Sequence, residues 1–398
     1  NVVCLLAFSN SAQWLEYEAL TRPSAVFYCG IPMARASECN VGIWSNQIFQ
    51  IGGLVFGILG MYCTDKLGIR SSVIIASSLN FAGAGLRFVS ALPALSLSMR
   101  PSILLIGSSF SAASGPFILM LAPKVAEFWF AESQRATAHV LSFVANPIGI
   151  VVGSSLPLLI ISASNTDEHS NNFAIINAAE WAVSIAVLAL ALSIRHSSPP
   201  TPPSPSRDDS KHDHPGFFQG IYLVIINKDF LLLSIPFGLI FGLPWAFALY
   251  SDDICNELGY PEGISGYGTA LNAVLGTAAA FFAGRVVDRS KKFKETIRVC
   301  AAGMLLTQIL MTVQLSHAHT STADSAIFLT LFGLLGLFTI PAFPIGIELA
   351  IECVFPVMEA TAAGIINIIG HFIMFVVVYG MDVLRQVPSS SSFEATSS

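Results

Sequence analysis

The stretch SAQWLEYEAL, residues 11–20, sets an indole and two carboxylates inside an otherwise apolar run. An indole face attracts a cation through its ring quadrupole, worth about 2 kcal/mol or more once water is excluded. Trp14 stands about 13 residues into the run, roughly 20 Å at 1.5 Å per residue, near or just past the middle of a membrane. Glu18 follows one helical turn later on the same face, where a buried carboxylate would draw in a cation or carry a proton. Glu16 points elsewhere. A competing reading makes Trp14 an interfacial belt residue and leaves both glutamates in water, because Thr21-Arg22-Pro23 follows at once. Arg87 and Glu180 also lie near outer ends of apolar runs, where emergence into water is the simpler expectation.

A second chemistry is that of ion pairs. CTDKLGIR (63–70) and GRVVDRSKKFK (284–294) each place an acid before a base, Asp65-Lys66 and Asp288-Arg289, with Arg70 nearby in the first. Glu348 and Glu352 share a face if their helix continues, and Glu359 lies close in sequence. They are positioned to pair with those basic turns as a gate that breaks when two bundles rock. Isolated surface pairs would contribute little. His212, Asp213 and His214 offer metal-ligand types, with a solvated charged loop as the plainer reading. The cysteines show no C-x-x-C spacing; Cys29 and Cys39 share one loop and either pair or stay as thiols. There is no H-E-x-x-H, G-x-S-x-G or phosphate loop, so the residues argue against an enzyme, a cofactor or a bound metal.

The elements that must position these groups follow from composition. Of 398 residues, 54% are hydrophobic and 11% charged, and mean hydropathy is +0.68; soluble domains carry roughly a quarter charged residues. About eleven runs are long enough to span a bilayer, near 2–20, 42–63, 71–93, 102–123, 137–162, 173–194, 230–250, 267–287, 297–316, 325–347 and 361–384. Lacking period-2 alternation, they must be helices, because lipid satisfies no backbone group. The fold class is an all-α, multi-pass membrane protein, in the plasma membrane or that of an organelle, with the bilayer and a small molecule as partners. No nucleic-acid contact is expected, and the chain reads as a monomer. Basic residues gather in the connections after even-numbered runs, which places those connections and the N-terminus on the cytoplasmic side. The Pro/Ser-rich stretch HSSPPTPPSPSRDDSKHDHP opens a linker over 195–229 between a bundle of six spans (1–194) and one of five (230–384), ahead of a disordered tail (385–398). FFQGIYLVIINK (217–228) is too short to span and fits a surface helix. GGLVFGILG (52–60) permits close helix contact, and Pro147, Pro157, Pro341 and Pro344 should bend or break their helices.

The paired Asp-basic turns resemble the loop motif of the major facilitator superfamily. QWLEY (13–17), KVAEFWFAESQRATAHVLSFVANPIGIVVGSSLP (124–157), VVDRSKKFKETIR (286–298) and IELAIECVFPVMEATAAGII (347–366) resemble solute carrier family 49, the feline leukaemia virus subgroup C receptor-related transporters. The resemblance implies two six-helix-type bundles and alternating access. Against its twelve helices nothing here spans after segment 11, so the twelfth is read as missing, as in a truncated or mis-spliced product. Members of the family move choline and ethanolamine, gripping the ammonium with aromatic residues on segments 1 and 7, and haem export has also been attributed to them. Carried onto this chain, the site holds Gln13 and Trp14 from QWLEY and Trp245 from FGLIFGLPWAFALY (237–250), unless both tryptophans are belt residues. The shared G-x-x-N spacing of Gly364 and Asn367 places His371 where relatives use a glutamine. N-P-I-G replaces N-Q-x-G on segment 5, so Pro147 removes an amide and Asn146 remains. A neutral His371 can hydrogen-bond a hydroxyl, whereas a protonated one repels an ammonium. The expectation is a transporter of a small organic solute, a choline- or ethanolamine-like cation first. Export of haem or another metabolite, or a non-transporting receptor on the same scaffold, are the alternatives. The family pattern favours Asp65 and Asp288 as members of the cytoplasmic gate, and Lys66, Arg70, Arg289, Glu348 and Glu352 join them by position.

Overall fold

The computed structural model describes residues 2–32, 35, 39, 41–131, 134–162, 169–197, 215–261, 264–317 and 321–386. The HDH triplet, most of the Pro/Ser-rich stretch and the end of the chain from 387 lie outside the described residues. Within them the chain is helical, in the order α1 (Val2–Ala19), α2 (Thr21–Cys29), α3 (Val41–Lys66), α4 (Gly68–Ser90), α5 (Arg100–Trp129), α6 (Arg135–Phe143) and α7 (Ala145–Ser162). There follow α8 (His169–Leu192), α9 (Phe217–Ile226), α10 (Lys228–Glu257), α11 (Ile264–Ser290), α12 (Phe293–Ser316), α13 (Thr322–Cys353) and α14 (Glu359–Gln386).

Among the described residues, ten stretches are long and apolar enough to cross a membrane, one fewer than the sequence suggests. The difference is α1, whose window carries Ser9, Asn10, Ser11, Gln13 and two glutamates. It tolerates them because it packs among α3, α5, α7 and α8, and its polar side chains at 9–11, 13 and 16 are buried in protein. Polar side chains that a helix turns into surrounding protein do not meet lipid. The outer helices show the reverse pattern, with Val55, Ile58, Leu232, Val274 and Phe282 exposed where hydrocarbon would cover them.

Local sequence sets the helix ends. Gly30 takes φ +66° after α2, and its N–H closes on the Val26 carbonyl. Ser321 and Asp324 cap α13 reciprocally, side chain to backbone in both directions. Segment 5 is divided at Val144 into α6 and α7, and Pro147 sits in the first turn of α7, where its missing N–H costs least. Pro157, Pro341 and Pro344 lie inside continuous helices. Cys29 and Cys39 form a disulfide that ties the end of α2 to the approach to α3. The surface helix α9 rests on α10 and α14 through Phe217, Gly220 and Val224 and exposes Phe218 and Tyr222.

The helices α1, α3, α4, α5, α7 and α8 pack on one another, as do α10 to α14. The two sets meet along α3–α14, α5–α14, α11–α6, α11–α7 and α13–α6. The α3–α14 seam is close because of glycine. A Cβ at Gly53 would stand 2.7 Å from His371 Cδ2, and one at Gly57 would stand 2.6 Å from Ile368 Cγ1.

Candidate functional site

In α10, Phe237, Phe241 and Trp245 recur every four residues, which places them on one helical face. That face borders a cavity of about 130 Å³ between the two sets of helices. Trp14 closes it from α1, Phe143, Asn146, Pro147 and Ile150 from α6–α7, and Phe343 with Thr339 from α13. Phe343 is the aromatic centre of the floor, with ring centroids 4.8 Å from Phe143, 5.3 Å from Phe237 and 5.1 Å from Phe241. The lining is apolar with scattered amide and hydroxyl groups, including Asn146, Asn272 and Thr269, and among the described residues it carries no charged side chain.

Trp14 and Trp245 meet across the cavity. Their rings stack with centroids 4.5 Å apart and planes 19° from parallel. Trp14 Nε1 donates to Asn46 Oδ1 on α3 at 3.0 Å, and Phe49 stacks nearby at 6.2 Å. Both tryptophans therefore belong to the interior between the bundles, and the belt reading is set aside. At this separation no ion fits between the two rings.

Other expected members stand elsewhere. Gln13 is fully buried away from the cavity: its Nε2 donates to Ser184 Oγ at 3.3 Å, and its Oε1 accepts from Ser111 Oγ at 2.6 Å. A residue adjacent to Trp14 on a helix is rotated about 100° from it, which turns Gln13 into the N-terminal bundle. His371 is also off the cavity, one layer behind Phe241, with its Nδ1 2.8 Å from the Asn367 carbonyl and its ring against Gly53. The Glu18 side chain lies outside the described residues.

Glu16, Arg87 and Glu180 overturn the expectation of water. Arg87 is fully buried, pairs with Glu16, lies 3.6 Å from Glu180 and donates from Nη1 to the Gln13 carbonyl at 2.5 Å. Its guanidinium also stands over the Tyr17 ring, 4.9 Å from the centroid. α2 and the loop after α4 cover this end of the bundle, so the short distance to the end of the apolar run did not mean exposure.

At the opposite end the two sets are joined by charge. Lys124 Nζ on α5 donates to Asp65 Oδ1 at 3.2 Å and to Glu359 Oε2 on α14 at 3.0 Å, while Thr361 Oγ1 donates to Asp65 Oδ2 at 2.7 Å. Asp288 on α11 accepts from the backbone N–H of Thr137 at 2.8 Å and from its hydroxyl at 2.5 Å. His139 Nδ1 lies 2.9 Å from Glu348 Oε1. Asp65, Asp288 and Glu348 thus bridge the sets, but through α5, α6 and α14 rather than through the basic turns. Lys66, Arg70 and Arg289 are exposed and enter no ion pair among the described residues, and Glu352 is exposed one turn beyond Glu348. Long basic side chains next to water are better solvated there than paired.

Sequence reading missed Phe237, Phe241 and Phe343, although the four-residue spacing up to Trp245 was available. It also missed Lys124, Thr137 and His139, whose partners are more than fifty residues away in sequence.

Comparison with known proteins agrees with this fold. Residues 41–378 match the family model of the Major Facilitator Superfamily. The chain is 30% identical to solute carrier family 49 member A3 of Danio rerio over 92% of this chain and 73% of that protein. It is 25% identical to the choline/ethanolamine transporter flvcr2a of the same organism, over 92% and 76% respectively. Among solved structures, the proton:xylose symporter XylE superposes with a TM-score of 0.72 at 17% identity, covering 96% of this chain and 88% of that one, a likeness of fold. Helices, seams and sequence agree: the chain belongs to the Major Facilitator Superfamily, within solute carrier family 49, and is an integral multi-pass membrane transporter.

Proposed function

We propose that this transporter moves a small organic cation of the choline or ethanolamine class by alternating access, with Trp14 and Trp245 as its principal binding groups. The observation that carries this reading is the stacking of those indoles across the two sets of helices, at the edge of an aromatic cavity. An ammonium desolvated against indole faces is held by the ring quadrupoles and needs no counter-charge, which suits a lining without carboxylates. An apolar cavity of about 150 Å³ holds benzene, so about 130 Å³ suits a ligand of a few heavy atoms. A haem macrocycle does not fit it. Asn146, beside the cavity, supplies a hydrogen bond to the ligand hydroxyl. His371 and Gln13 support the walls rather than touch the ligand.

In this reading the contacts made by Asp65, Asp288 and Glu348 hold the cytoplasmic end closed, and the indoles part to admit solute from the other side. The relatives named as choline/ethanolamine transporters support the same substrate class. The test is uptake of labelled choline and ethanolamine into proteoliposomes. Removing about 2 kcal/mol of cation–π attraction with Trp14→Ala should raise the half-saturating concentration roughly 30-fold, with Trp14→Phe between it and wild type. Saturable uptake indifferent to Trp14→Ala would remove the indole site.

A further inference from the structure

Away from the cavity, three charged side chains meet inside the N-terminal bundle: Glu16 on α1, Arg87 on α4 and Glu180 on α8. We propose that they form a proton-binding site, in which the two carboxyls share one exchangeable proton beside a permanent guanidinium cation. The site itself follows from charge and geometry; its use in transport rests on the function proposed above.

The count of charges is the first argument. Side chains of Glu16 and Arg87 have no exposed surface, and that of Glu180 keeps 13%. One guanidinium balances one carboxylate, and a second carboxylate in the same dry pocket leaves an uncompensated negative charge. Buried charges persist when paired, and an unpaired carboxylate takes up a proton instead. The hydrogen bonds point the same way. Glu16 Oε1 and Glu180 Oε2 are buried acceptors without a donor among the described residues, and both carboxyl groups converge on the same guanidinium nitrogen, Arg87 Nη2. Two ionised carboxylates only accept, so a proton on either one supplies the donor both lack.

Among the described residues the surroundings supply no other charge. Tyr17 of α1 and Tyr28 of α2 face the cluster, linked hydroxyl to hydroxyl at 2.8 Å. Burial pushes the Tyr28 phenol up to about 12, so it stays neutral. α5 presents Gly107, where a Cβ would stand 3.0 Å from Arg87 Cγ. Its ionisable residues are elsewhere, Arg100 over Phe27 and Lys124 with Glu127 at the far end. α7, packed against α1, contains no ionisable residue.

The cluster is wired to the indole site through α1. Arg87 grips that helix twice, at the Glu16 carboxylate and the Gln13 carbonyl, either side of Trp14. Loss of the proton sets Glu16 against Glu180 and pushes α1 from α8, and Trp14 moves with α1. Glu180, the member with accessible surface, is the point of proton entry and exit.

Infrared difference spectroscopy of the purified full chain at neutral pH tests the site without any substrate. Wild type minus Glu180→Gln, and wild type minus Glu16→Gln, should each show the loss of one protonated-carboxyl stretching band, since either variant leaves a balanced pair. Difference spectra containing only ionised-carboxylate bands overturn the proposal. Glu295→Gln, at the exposed pair with Arg298, is the control: the wild-type band should survive it, and its disappearance there overturns the assignment. Coupling is tested in proteoliposomes, where an imposed proton gradient should accelerate choline uptake and a protonophore should abolish the acceleration. Uptake blind to the gradient overturns coupling. Failure of choline to move at all would strike the substrate reading while the infrared band stands.

Discussion

Trp14 is held by one hydrogen bond from its indole nitrogen to Asn46, and that bond fixes which way the ring faces Trp245. Asn46→Ala should cost about 1 kcal/mol of positioning and raise the half-saturating concentration roughly 5-fold with little change in melting temperature, as uptake assays and thermal denaturation in detergent would show. Arg87→Leu should act oppositely. It strands two buried carboxyls, a loss of about 3–5 kcal/mol, read as a marked fall in melting temperature and in yield of folded protein. At this scale the sequence was a partial guide. Residue type pointed to Trp14, and the family resemblance to Trp245, as candidate cation binders, but nothing in a single helix says which neighbour each face will meet. Hence Gln13 and His371 fell behind the cavity wall, and Arg87, so close to the end of its apolar run, proved wholly enclosed.

The elements were far more legible, because membrane spans advertise themselves by length and hydropathy. The break in segment 5 falls at Val144, three residues before Pro147, and the glycines of 52–60 form close seams, Gly53 and Gly57 against α14 and Gly52 and Gly60 against α5. What remained hidden was α1, whose polar residues look unfit for a membrane until the helices around it are in place. The α3–α14 seam yields an expectation of its own. Gly57→Leu inserts a branched side chain where even a Cβ would crowd Ile368. Overpacking should destabilise the chain by about 1–3 kcal/mol, and should do so by parting α3 from α14. A spin-label pair spanning that seam should report a longer separation than in the parent protein.

For the whole molecule, the two sets of helices are tied at one end by Lys124–Asp65–Glu359, Thr137–Asp288 and His139–Glu348, and at the other by the paired indoles. The partners in these ties are far apart in sequence, so only their acidic halves could be guessed, Asp65 and Asp288 from the repeated Asp-basic turns and Glu348 and Glu359 from their clustering. Asp65→Asn with Asp288→Asn weakens two of the ties. Labels at the exposed positions 66 and 355 should then move apart, as measured by electron–electron resonance, and substrate release to that side should quicken. An unchanged distance distribution would mean that the charges decorate the closure rather than maintain it. The indole stack has a consequence for observation as well as for binding. Two aromatic chromophores held nearly parallel at 4.5 Å couple electronically, and three other tryptophans, Trp44, Trp129 and Trp181, are not in that pair. The ultraviolet circular dichroism of the unlabelled protein should therefore contain an exciton signal that fades as the rings separate, giving the transport cycle a built-in optical clock.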